Sequence, residues 1–166
     1  RALVSRRELL VLTSSSEWVV AGAGQAELLT PTSIAAHQAT EHGCAACIPP
    51  LVIGSTVLFM QAKGVVPRAL AFTDGSYQSS DISLLSRHLF VGHRIVAWAY
   101  ADDPHPVIWA VRDDGALLSC TYIPEHSMIA WARHDLAGGG LVEDIAVLPE
   151  YAEDVTYLVV NRGGEP

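Results

Sequence analysis

The sharpest chemical constellation in the chain is His37-x4-His42-Gly43-Cys44-x2-Cys47. Thiolate sulfur and neutral imidazole nitrogen are good Zn²⁺ ligands, and four of them converging tetrahedrally make a structural zinc site. The local sequence works against one. A CxxC normally wraps the ion in a knuckle turn, yet Ala45-Ala46 fills the loop with no glycine to help it. His37 also falls in a strand-like run. Small buried thiols beside Ile48-Pro49-Pro50 are the commoner outcome. A redox CxxC wants a βαβ context, which is missing here. We therefore assign no metal and no cofactor, and keep His37, His42, Cys44 and Cys47 as the zinc candidates.

Paired carboxylates are the next chemical signal: Asp102-Asp103, Asp113-Asp114, Glu143-Asp144 and Glu153-Asp154. Such pairs serve glycoside hydrolysis or Ca²⁺ binding when they converge. The first two flank one strand-like run, 107–112. At about 3.3 Å per residue they lie ~20 Å apart and share no site. Asp is also an ordinary turn residue, which is the default reading for these pairs. Nucleophilic catalysis has little support: no Gly-x-Ser-x-Gly elbow occurs, and His134-Asp135 are sequence neighbours whose side chains point apart. Gly22-Ala23-Gly24 and Gly138-Gly139-Gly140 read as loops, since neither opens a helix with a Lys-Ser/Thr to cradle phosphate. Trp18, Trp98, Trp109 and Trp131 would line a sugar-binding face if exposed, but the strand pattern favours packing.

These residues sit on short elements with turn chemistry between them. The chain has 166 residues, 50% hydrophobic and only 17% charged. Its mean hydropathy is +0.28. That is one domain's length with enough apolar content for a sizeable core, and it excludes a disordered chain. The apolar stretches, such as 95–101, fall far short of the ~18–20 residues of a membrane span. The chain begins at Arg1 with no signal-peptide pattern. We expect it to be an excerpt of a larger protein.

The clearest element is a hairpin over 107–122, with β-rich runs flanking Asp113-Asp114-Gly115. Gly115 supplies the positive φ that a tight hairpin or its bulge needs, and Asp114 helps set the turn. Pro106 marks the strand start. With 94–100 before it and 128–133 after it, residues 94–134 read as a four-stranded meander. Runs at 142–148 and 155–160 are strand-like, with Pro149 and Glu150 between them. Upstream, 8–12 and 18–21 form a hairpin around Ser14-Ser15-Ser16. Next come a polar-alternating run at 33–40 and strands at 51–53, 57–61 and 68–72. Residues 81–89 are the one expected helical turn, capped by Asp81 with Ile82, Leu85 and Leu89 on one face.

Four runs resemble one another, each with an aromatic in an aliphatic strand: Trp18, Phe59, Trp109 and Tyr157, spaced by 41, 50 and 48 residues. Propeller blades repeat at about 40–50 residues. The expected fold is thus all-β, with antiparallel four-stranded meanders arranged as partial β-propeller-like blades. We expect one β domain over 1–166, with candidate blades at about 8–40, 51–90, 94–134 and 142–162. An ordinary β-sandwich is the alternative. A closed propeller needs about four blades, so open edges that invite self-association are expected.

Charge narrows the partners. Residues 1–101 carry six acids and seven Lys/Arg, whereas 102–166 carry twelve acids and three Arg, for a total of −8. Phosphate backbones and anionic membranes need clustered cations, and no basic run exceeds Arg6-Arg7. Three cysteines are too few, and odd in number, for a disulfide framework.

Several stretches resemble virion structural proteins of tailed bacteriophages and prophages, the propeller-containing tail tubular (nozzle-type) proteins. They are 79–89 (SSDISLLSRHL), 106–118 (PVIWAVRDDGALL), 119–134 (SCTYIPEHSMIAWARH), and 142–162 with its closing Val-Val-Asn-Arg. Glu17-Trp18, residues 29–33 and 49–61 fit the same pattern less sharply. The order and spacing of these stretches carry the resemblance over most of 15–162. It implies a non-enzymatic structural protein of the virion tail, assembled in the bacterial cytoplasm. Its partners would be other tail proteins and copies of itself in a ring, with no nucleic acid and no membrane span. This chain would be a central excerpt or a degenerate prophage copy. The expected determinants are structural: Gly115 and Asp114 in the hairpin, Trp109 and Trp131 anchoring the blade, and Pro106. Two alternatives stand beside this reading. A carbohydrate-binding or carbohydrate-cleaving propeller predicts exposed Trp in a concave site. A small zinc-binding β domain predicts metal lost on changing Cys44 and Cys47.

Overall fold

A computed structural model describes residues 1–22, 30–31 and 33–163. Ala23, Gly24, Leu29 and Thr32, within segments singled out above, lie outside them. The fold is all-β, and the described residues form three four-stranded antiparallel sheets and one hairpin. The chain divides into two compact units, Arg1–Asp81 and Ile82–Pro166.

The first unit holds two meanders. Strands β1 (Ala2–Ser5), β2 (Leu9–Leu12), β3 (Glu17–Gly22) and β4 (Ile34–Thr40) pair in sequence order. So do β5 (Leu51–Ile53), β6 (Thr56–Met60), β7 (Pro67–Thr73) and β8 (Ser76–Asp81). Leu10, Leu12 and Val19 from the first sheet meet Val57, Phe59, Leu70 and Tyr77 from the second in one core. Every residue of β6 is buried, so this strand is covered on both faces and reads as a continuous apolar run rather than an alternating one. Each fully buried Leu or Phe of this kind stabilises by roughly 1.5–3 kcal/mol. The sequence reading missed β1 and β8. The first is only four residues long, and the second (SYQSSD) is polar and mostly outside the core.

Loop contacts fasten the first unit. Thr13 Oγ1 accepts the Ser16 amide at 3.1 Å and donates to the Ser16 carbonyl at 2.7 Å, closing the serine turn between β2 and β3. The Cys44 amide donates to the Thr13 carbonyl at 2.7 Å. Gly43 permits this approach: at φ +69°, any Cβ there would run into the Ser14 backbone.

The second unit opens with a 3₁₀ turn over Leu84–Leu89. Asp81 does not cap it; Asp81 ends β8, and Ser83 is the cap residue, its side chain making no capping bond. Ile82 and Leu89 are buried, but Leu85 is 91% exposed. A 3₁₀ turn advances 120° per residue, so a face drawn at α-helical spacing does not hold.

The expected meander follows as β9 (Ile95–Ala101), β10 (Val107–Arg112), β11 (Leu117–Ile123) and β12 (Met128–His134). Its register slips by one between Val111 and Arg112, where Arg112 pairs with Ile95. This bulge breaks the simple alternation of β9, so Ile95 and Trp98 are both buried. Last comes a hairpin of β13 (Leu141–Glu150) and β14 (Glu153–Asn161). Its turn falls at Tyr151-Ala152, with Tyr151 at φ +55°. Pro149 and Glu150, expected as the connection, instead extend β13 and pair with Asp154 and Glu153. Val142 and Ile145 of β13 pack on Val111 and Leu117 of the meander.

Candidate functional site

The four zinc candidates do not assemble. His37 is exposed on β4, and His42 is half-buried after it. Cys44 is buried in the core and bridges to Gln61, whereas Cys47 is exposed. Burial pushes the Cys44 thiol up and, with Arg68 nearby, holds the His42 imidazole below its usual range. The polar feature that organises this corner is Glu17, which is fully buried. Its Oε2 accepts from the Thr40 hydroxyl at 2.5 Å and from the His42 amide at 3.2 Å. One carboxylate thereby ties β3 to the end of β4 and to the loop that carries the cysteines.

A cluster that the sequence reading did not assemble lies at the Asp113-Asp114-Gly115 turn. His93 Nδ1 stands 3.3 Å from Asp113 Oδ1 and 3.7 Å from Asp114 Oδ2. One ligand atom from each of the three lies within 4.8 Å of the others. His93 is twenty residues upstream, and it arrives through the meander: the Asp113 amide donates to the Arg94 carbonyl at 2.8 Å. Only the strand register, not residue spacing, reveals it. Asp114 is already engaged, however. The buried Arg112 guanidinium grips both its oxygens, Nε at 2.9 Å and Nη2 in a short second bond, and Nη1 donates to the Leu89 carbonyl at 2.8 Å. Arg112 holds the Asp114 carboxyl at about 2. The guanidinium thus neutralises Asp114 and, with His93 and Asp113, fastens the turn.

The acidic pairs divide. Asp102-Asp103 and Asp113-Asp114 lie in turns, as expected. Glu143-Asp144 is inside β13 and Glu153-Asp154 begins β14, against the turn reading. Asp154 Oδ2 accepts the amides of Asp102 and Asp103 at 2.7 and 3.3 Å, and the Asp154 amide donates to the Asp103 carbonyl at 3.0 Å. These carboxylates organise backbone, which is structural work.

Comparison with protein-family models and with curated proteins finds no match.

Across β11 and β12, Ser119 Oγ and His134 Nε2 are 2.7 Å apart, and Trp109 packs on the His134 ring at 5.3 Å. Asp135 turns away to Arg133, at 2.8 Å. The serine and histidine are diagonal neighbours across the two strands, and among the described residues no acid is seen to orient the histidine as in a triad. Trp131 meets Phe90 edge-on at 4.9 Å and donates its indole N–H to the Ile82 carbonyl at 2.8 Å, so it fixes the 3₁₀ segment to the sheet. Pro106 immediately precedes β10. Trp18, Trp109 and Trp131 are half-buried and Trp98 is buried, so none of the four is exposed as a stacking platform.

The first unit has a cleft of about 210 Å³ lined by Arg7, His37, Gln38, Phe72 and Tyr77. Its Phe72 ring stays 40% exposed beside two neighbours. Arg7 sits 5.1 Å over the Phe72 ring, and Tyr77 meets that ring edge-on. Other exposed apolar side chains lie along strands, at Leu3, Ile34, Met128, Leu141, Tyr157 and Val159, and off them, at Leu85, Val91 and Tyr151. Among the described residues no helix is long and apolar enough to cross a membrane.

Proposed function

We propose that this chain is a non-enzymatic structural module that acts through protein–protein contacts. Its place is the tail of a bacteriophage or prophage-encoded particle, assembled in the bacterial cytoplasm beside other tail proteins and copies of itself. The carrying observation is the distribution of apolar surface. Large aliphatic and aromatic side chains stand in solvent on outer strands, among them Leu3, Ile34, Met128 and Val159. Exposed apolar side chains on unpaired edge strands are what an assembling subunit presents. Each four-stranded meander has the strand order of a propeller blade, and an array of such blades is the architecture that the sequence resemblance implies.

Immunogold labelling of tailed particles from the producing bacterium tests this reading. Labelled tails, with the chain recovered stoichiometrically by mass spectrometry of the purified particles, are the expected result. Particles lacking the chain, or catalytic turnover of a glycan by the purified protein, would overturn it.

A further inference from the structure

The outer edge of β14 carries a self-complementary pairing surface. Among the described residues, no strand pairs with β14 on the side away from β13. Which of its backbone groups face that side follows from β13. The Val142 amide donates to the Gly115 carbonyl, the Ile145 amide to the Asp144 side chain, and Pro149 has no amide N–H. None of these three donates into the hairpin ladder, so all occupy non-hydrogen-bonded positions. Their partners across the hairpin are Val160, Leu158 and Asp154. In an antiparallel ladder such residues turn their own N–H and C=O outward. The Asp154 amide does so, reaching the Asp103 carbonyl at 3.0 Å. Alternation adds Thr156. The loop closes the edge at Asp154, which leaves Thr156, Leu158 and Val160 as three consecutive outward-facing positions.

We propose that two copies of this chain pair antiparallel through this edge, about a two-fold axis at Leu158. This register sets Leu158 opposite its twin and Thr156 opposite the twin's Val160, so all three open positions pair reciprocally. It is also the register that charge favours. Past Val160 the second copy's strand meets the loop that closes this edge, where its Arg162 lies against the carboxylates of Asp102, Asp103 and Asp154, and the symmetric contact repeats it. On the solvent face, Tyr157 (46% exposed) comes opposite Val159 (56% exposed), a cross-strand aromatic–β-branched pair. The product is a sheet of order β13-β14-β14-β13. It has four strands, like the other three sheets among the described residues. An isologous contact of this kind closes and does not propagate. The proposal deepens the contact reading above and rests on it, naming the partner at one edge.

Light scattering and sedimentation of the 166-residue chain test it. The expected mass is twice 17.8 kDa, falling to 17.8 kDa on dilution. Leu158→Pro removes the central outward N–H without touching the hairpin ladder, and is expected to be monomeric with an unchanged near-ultraviolet circular dichroism spectrum. Arg162→Glu sets like charges opposite one another twice per dimer, and is expected to weaken association by roughly tenfold. Should Leu158→Pro fail to fold, Arg162→Glu decides alone. A wild-type chain that stays at 17.8 kDa at its highest soluble concentration overturns the proposal, as does a dimer that Arg162→Glu does not weaken. If the dimer forms but the chain is missing from tailed particles, the tail role fails and the pairing stands.

Discussion

The carbonyl of Gly115 accepts the amide of Val142 at 2.9 Å, so the tip of the β10–β11 hairpin is also the anchor of β13. Gly115 sits at φ +80°, and a Cβ there would lie 2.6 Å from the Leu141 Cβ. Glycine is thus required twice, by conformation and by the approach of the next sheet. Gly115→Val forces a β-branched residue into the left-handed region and against Leu141. We expect a loss of about 3 kcal/mol, read as a fall in Tm of about 10 °C. An unchanged Tm would refute this turn assignment.

Acid sensitivity follows from the same turn. Arg112 lowers the Asp114 carboxyl from 3.8 to about 2. A carboxylate whose pKa is depressed by folding stabilises the fold above its unfolded value and ceases to do so as pH falls through the folded one. The loss therefore falls between about pH 4 and pH 2. Because the Asp114 side chain is 38% exposed, screening discounts the contribution to about 1 kcal/mol. Asp114→Asn is expected to flatten this part of the stability–pH curve. Equal slopes for both proteins in acid urea titrations would exclude Asp114 as the group.

The strands of the second unit were largely legible in the sequence because its turn residues are emphatic. Asp113-Asp114-Gly115 and Asp102-Asp103-Pro104 bracket β10 unambiguously, and four strands over 94–134 follow. Elsewhere the signal failed where turn chemistry and strand pairing compete. Pro149 looks like a break, yet it tolerates a strand position where no N–H is needed, and the reversal falls two residues later at Tyr151. Polar β8 has no core-facing alternation to read beyond Tyr77. At the site level, Asp114 and Gly115 stood out, but His93 and Arg112 did not. Both reach the turn through cross-strand geometry, which local spacing does not encode.

Thiol reactivity separates the three cysteines. Cys47 is exposed, whereas Cys44 and Cys120 are buried, and burial pushes the Cys120 thiol up to about 12. Thiolate is the reactive form, so a buried thiol with a raised pKa is inert. Titration of the native chain with a chromogenic disulfide is expected to show one fast thiol, with the other two released only by denaturant. Cys47→Ser should abolish the fast phase. A rapid second equivalent in the native protein would mean that the Cys44 loop opens, and would return the Cys44–Cys47 pair to consideration as a ligand pair.

Glu17 is a fully buried polar group that ties the first sheet to the loop after β4. Its carboxylate satisfies the Thr40 hydroxyl and the His42 amide, two donors on different segments. Glu17→Ala leaves both without that acceptor and opens a cavity at a fully buried position. Unsatisfied buried donors and lost packing together put the cost at about 3 kcal/mol. Glu17→Gln retains one acceptor oxygen for the same two donors but sets an NH2 where Oε1 is buried without a partner, so a smaller loss of about 1–2 kcal/mol is expected. Urea midpoints of the two variants measure the difference. A large loss in Glu17→Gln would mean that the negative charge itself, beside Arg68, holds the corner together. Equal, small losses in both would show that β4 is fastened by its backbone ladder to β3 alone.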